Sequence, residues 1–151
     1  MRPQRHSAID DEGSAALEFI VVGVILLVPL VYLVIALGAI QEQTLGAEAA
    51  ARHIARVVAR APDAATAAQR SDAVLAGVVD EYGLEPDAVD VSLVCTPVTA
   101  ECPTSGATII VTVSTRVRLP LVPEILGLDR STAIPVHAEA VQKVSRSWGA
   151  R

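Results

Sequence analysis

The residues of this 151-residue chain that could do chemistry are two cysteines, three histidines, a scatter of carboxylates and one carboxylate placed unusually. Cys95 and Cys102 are close in sequence but not in a CxxC arrangement, and His6, His53 and His137 are spread along the chain, so no metal-ligand spacing emerges and no metal or other cofactor is expected. Two unrelated thiols, or a disulfide closing a short hairpin, remain open. The disulfide is the better reading if this part of the chain faces an oxidising compartment. Such a loop would contribute roughly 2–3 kcal/mol in the chain-entropy model, less any strain. Asp72, Asp80 and Glu81 fall on the predicted surface of a helix, where solvated charges are the expectation. Ser, His and Asp all occur, yet there is no GxSxG elbow, HExxH, Walker A or GxGxxG, so no catalytic residue is expected and the chain reads as a non-enzyme. That leaves Glu18. It follows Gly13-Ser14-Ala15-Ala16-Leu17 and stands at the lip of an uncharged run from Phe19 to Ile40. A carboxylate is costly there unless it is paired or sits at an interface.

The element that must position Glu18 is that run. At about 22 residues it is long enough to cross a bilayer as a helix. It contains Gly23, Pro29 and Gly38, and Pro29 is expected to kink or loosen the helix near its middle. Residues 1–13 are polar and expected to be disordered. The run is too long for an ordinary signal-peptide core, and no clear Ala-x-Ala site follows it. Basic residues flank both ends, Arg2 and Arg5 before, Arg52, Arg56 and Arg60 after, so their count does not orient the span. The nearest charges after it, Glu42 and Glu48, and the cysteine pair favour an N-terminus inside and a C-terminal part outside. The composition is 52% hydrophobic but 3% aromatic, and the net charge is −5 with Lys143 the only lysine. Nucleic acid, which needs clustered Lys and Arg, is argued against.

The helix is expected to continue past the span. Ala47, Ala50, Ile54, Val57 and Ala61 recur at three and four, giving one apolar stripe, while Arg52, Arg56 and Arg60 share a solvated face and Glu48–Arg52 form an i,i+4 pair. A helix from about Ser14 to Arg60 would be roughly 70 Å long. Pro62 interrupts it and Asp63 can cap a second helix over Ala64–Tyr82, with Ala68, Val74, Leu75, Val78 and Val79 as its apolar side and Gly83 as its stop. The period then changes to two. Val89, Val91, Leu93 and Cys95 alternate with polar residues or Val94; Thr108–Leu119 is a long β-type run; Thr132–Val144 alternates again through Ala133, Val136, Ala138 and Ala140, with Pro135 suggesting an edge or a strand start. Glu124–Leu128 is expected to form a short turn, Cys95 and Cys102 would clip the connection between the first two strands, and Trp148 has no evident partner. The expected class is α+β: a long N-terminal membrane helix continuing as a stalk, a second helix, and a small three-stranded antiparallel sheet packed by one face on the helices.

Gly13-Ser14-Ala15-Ala16-Leu17-Glu18 resembles the type IV prepilin processing motif, in which a prepilin peptidase cuts after the glycine and a glutamate stands fifth in the new chain; with Ser14 first, Glu18 is fifth. Extended to Phe19, it resembles the start of TadE-like proteins, minor pseudopilins of the tight-adherence (Flp) pilus system. Ile110-Val-Thr-Val-Ser114, Leu119-Pro-Leu-Val-Pro123 and Thr132–Glu139 are similar to the strands and Pro-rich break of that family. Asp10-Asp11-Glu12 departs from it, since prepilin leaders are usually basic. The resemblance implies a pilin-like fold with residues 1–13 a cleaved leader, 14–40 a transmembrane helix, 41–61 a helical stalk and 62–151 an extracytoplasmic domain. It implies a bacterial cytoplasmic-membrane protein that assembles or primes a pilus. Its partners would be the prepilin peptidase, other pilins or pseudopilins met through the N-terminal helix, the pilus assembly platform and the lipid bilayer. A charge pair between Glu18 and a neighbour's Ser14 amine would then serve assembly. A secretion-system pseudopilin shares the same processing. A reading of a different class is a membrane-anchored extracytoplasmic binding or sensor module, with the strands presenting a ligand surface.

Overall fold

The computed structural model describes residues 10–98, 101–120 and 133–148, with side chains from Ser14 onward. The expected turn over Glu124–Leu128 and most of the Leu119–Pro123 break lie outside the described residues. Helix α1 spans Asp10–Arg60 and α2 spans Ala64–Glu81. A 3-10 turn at Pro86–Ala88 leads into β1 (Asp90–Thr96), β2 (Thr108–Val117) and β3 (Ile134–Lys143). The class is α+β, as the change of hydrophobic period predicts. The chain divides into two compact units, residues 1–37 and 38–151.

In the first unit α1 begins earlier than expected. The backbone of residues 10–13 is already helical, whereas the polar composition suggested disorder up to Gly13. Extending a helix costs far less than nucleating one, and no proline stands between Asp10 and Gly13 to stop it. The helical assignment also runs through Pro29. From Leu17 to Leu37 nearly every large side chain is exposed, among them Phe19 at 80% and Leu26 at 67%. Only 6% of its most apolar part is buried within the chain. The helix is long and apolar enough to cross a membrane.

The second unit holds the core. Side chains of α1 from Ala47 to Ala59, Ala61 just after it, and side chains of α2 and of one face of the sheet form a single buried cluster. The arc on α1 is wider than one stripe: Ala47, Ala50, Ala51, Ile54, Ala55, Val58 and Ala59 are all buried. Val57, expected in the stripe, is only half-buried; its neighbour Val58 takes the inward place. On α2 the inward alanine is Ala67, and Ala68 is exposed, again one position from expectation. Asp63 caps α2 as predicted: its side chain accepts a hydrogen bond from the Thr66 N–H at 2.7 Å. At the other end Tyr82 caps and Gly83 takes φ 59°, the left-handed conformation that glycine adopts most easily.

The sheet has the order β1-β2-β3, antiparallel throughout, with Asp90 opposite Ser114 and Ser114 opposite His137. Ile109, Val111, Val113, Thr115 and Val117 of β2 face inward, buried; Val136 and Ala138 of β3 and Cys95 of β1 join them. The inward phase of β3 starts at Ile134, opposite Val117, and not at Ala133, because a strand's faces alternate strictly. After β3 the chain returns to α1: the Ser145 N–H donates to the Ala59 carbonyl, and Trp148 packs half-buried against the core, which supplies the partner its sequence context lacked.

Candidate functional site

α1 carries Gly13, Ser14 and Glu18 in its first turns. Gly13 and Ser14 are consecutive within the helix, so the peptide bond between them has helical backbone on both sides. Ser14 and Glu18 are four residues apart and therefore lie on one face, a turn from each other. Both are exposed, and among the described residues Glu18 makes no hydrogen bond or ion pair. Immediately after it the exposed apolar surface begins with Phe19 and Ile20. The carboxylate thus stands at the border of an exposed apolar surface, with no partner among the described residues. An outside cation is what this arrangement can accept.

The cysteine pair is a disulfide. Cys95, buried at the end of β1, is bonded to Cys102 in the connection to β2, with a Cα–Cα separation of 5.8 Å. The connection is fixed further where the Val144 N–H donates to the Ala107 carbonyl at 2.8 Å and the Ser105 hydroxyl to the Arg146 carbonyl at 2.6 Å.

Strand register assembles one group that sequence spacing hid. Asp90, Ser114 and His137 form a row across the outer face of the sheet, and His137 Nδ1 lies 2.9 Å from Ser114 Oγ. The order is Asp-Ser-His. In a nucleophilic triad the imidazole stands between hydroxyl and carboxylate, so that the carboxylate can orient it. Here the serine stands in the middle, so Asp90 lies across it from the His137 ring, and among the described residues Asp90 and His137 are exposed. Among the described residues no group of three or more His, Cys, Asp or Glu could hold a metal ion.

The stalk residues stand as the helical spacing requires. Arg52, Arg56 and Arg60 are exposed, and Arg52 pairs with Glu48 at 2.7 Å. Asp72 and Asp80 are exposed on α2, as expected, but they are not merely solvated: with Leu75, Ala76, Val79 and Pro86 they line a groove of about 370 Å³. Its second wall, Pro86, comes from the 3-10 turn, which is why helix periodicity alone does not reveal it. Sequence reasoning also missed Gly46. A Cβ placed there would lie 2.8 Å from Tyr82 Cβ, so this glycine allows the end of α2 to close on α1. A glycine inside an otherwise strong helix was the available signal. No protein-family model, curated protein or solved structure matches the chain.

Proposed function

We propose that the chain is a minor pseudopilin-like membrane protein that takes part in assembling or priming a tight-adherence (Flp) pilus, with no enzymatic role. A prepilin peptidase cuts it after Gly13, and the new N-terminus at Ser14 lies on the cytoplasmic side of a bacterial inner membrane. α1 crosses the bilayer, and the disulfide-bearing domain stands outside the cytoplasm, where thiols oxidise. One observation carries this reading: Glu18, exposed and without a partner among the described residues, five residues after the glycine, at the edge of an uncharged helical surface. A freed amine at Ser14 of a neighbouring helix would supply the cation that Glu18 lacks, and in a medium of low dielectric the two charges attract far more strongly than in water. Since the Gly13–Ser14 bond is helical, the first turn must unwind before a peptidase can take it as an extended segment.

Intact mass and N-terminal sequencing of the protein from its native membrane test this. The expected chain starts at Ser14. A membrane-resident chain that keeps residues 1–13 would reduce the motif to coincidence and favour an anchored binding module.

A further inference from the structure

We infer that the groove on α2 is a docking site for the arginine face of α1 in a second copy of this chain. The groove is apolar along its floor, formed by Leu75, Ala76, Val79 and Pro86, and carries a carboxylate at each end, Asp72 and Asp80. No salt bridge engages either carboxylate among the described residues. Their positions on α2 are eight residues apart, roughly 12 Å along the axis. Arg52 and Arg60 have the same separation on one exposed face of α1, with Arg56 midway. Among the described residues Arg56 and Arg60 also lack an ion-pair partner, and Arg52 is held by its exposed contact with Glu48. A partner α1 laid antiparallel along α2 therefore meets Asp80 with Arg52 and Asp72 with Arg60. The methylene stem of Arg56 then lies over Ala76 and Val79, where an arginine can cover apolar surface while its head stays in water. Charge, pitch and apolar content match at once, and all the groups belong to the 38–151 unit.

The contact joins two different patches, so it is heterologous: each copy offers its groove to one neighbour and its arginines to another. Tyr82 beside Gly46 and the short link across Pro62 and Asp63 make α2 run back along its own α1. Asp80 then sits level with about residue 47 and Asp72 with about residue 55. Matching these to residues 52 and 60 of a copy inserted in the same direction displaces that copy along the axis by roughly 7 Å. A displaced heterologous contact builds an open helical array and not a closed ring. The axial step rests on the membrane reading of α1; the pairing itself does not require cleavage after Gly13.

Two differently tagged full-length copies, one with Ala76→Cys and one with Arg56→Cys, are co-expressed and oxidised in membranes. The expected result is a disulfide-linked adduct between the tags, well above that of Ala76→Cys with Val141→Cys, an exposed residue on the outer face of β3. Asp72→Arg with Asp80→Arg in the groove copy should cut the adduct roughly tenfold, and Arg52→Glu with Arg60→Glu in the other copy should restore it. Rescue separates docking from misfolding. The inference is overturned by an adduct no greater than the control, by a yield indifferent to the charge reversals, by loss without rescue, or by cross-linking to another protein instead of the second tag. N-terminal sequencing of the same samples separates this outcome from the pilin reading: adduct from chains that keep residues 1–13 upholds the docking and sinks the processing.

Discussion

Individual residues account for one tight fit in the domain and for one of its unsatisfied buried atoms. Gly46 lets Tyr82 approach α1 so closely that a methyl group must displace the Tyr82 Cβ, which is rigidly attached to backbone. Alanine would raise helix propensity by roughly 1 kcal/mol, while overpacking costs about 1–3 kcal/mol. Gly46→Ala is therefore expected to destabilise the domain by about 1 kcal/mol in denaturant titrations, and to become stabilising in a Tyr82→Gly background, where the Cβ it meets is gone. Thr115 is the opposite case. Its side chain is buried in the row of inward β2 residues, and its hydroxyl finds no hydrogen-bond partner. An unsatisfied buried hydroxyl costs about 1–3 kcal/mol, so Thr115→Val, equal in shape, should raise the melting temperature with a gain of roughly 1 kcal/mol. Neither effect is legible in the sequence: a glycine in a helix and a threonine in a strand are both ordinary until their neighbours across the fold are known.

At the scale of elements the apolar period speaks clearly where side chains differ in size. Val91, Leu93 and Cys95 against Asp90 and Ser92 mark β1 and its inner face, and both helices and all three strands lie where the pattern places them. It speaks poorly where alanines crowd. Among Ala64, Ala65, Ala67 and Ala68 nothing in size or polarity selects Ala67, and tertiary contact decides. Capping is the other local signal that holds. The Asp63 carboxylate lies below the ordinary aspartate range, chiefly because it accepts the Thr66 N–H, with the Thr66 hydroxyl adding to it. A group whose folded pKa is depressed contributes its stability above the unfolded pKa, near 3.9, and loses it as pH falls through the lower folded value. Asp63→Asn keeps a side-chain acceptor but cannot titrate. The variant should therefore resemble the parent near neutral pH in its helical circular dichroism, while its stability falls less steeply below about pH 4.

For the whole molecule, the division after Leu37 separates an exposed apolar helix surface from a domain with its own core. The buried cluster draws its α1 side chains from Ala47 to Ala59, with Ile40 packed against it, and includes none of the exposed run before. A chain of residues 38–151 is therefore expected to stay in solution without detergent and to unfold in one cooperative transition. Its denaturant slope would match the surface of the domain alone. Precipitation, or unfolding without a transition, would mean that the apolar helix contributes to the fold itself.

Five of the largest fully buried side chains come from β2, and four of those are valine or isoleucine; the α1 arc is mostly alanine. The valines and isoleucines can replace one another at modest cost, because swaps of nearly equal volume disturb a core little. A lineage with this interior can drift far in spelling while its architecture holds. What selection must keep is sparse: glycine where helix meets helix, the disulfide cysteines, and an alternation of small branched side chains along one central strand.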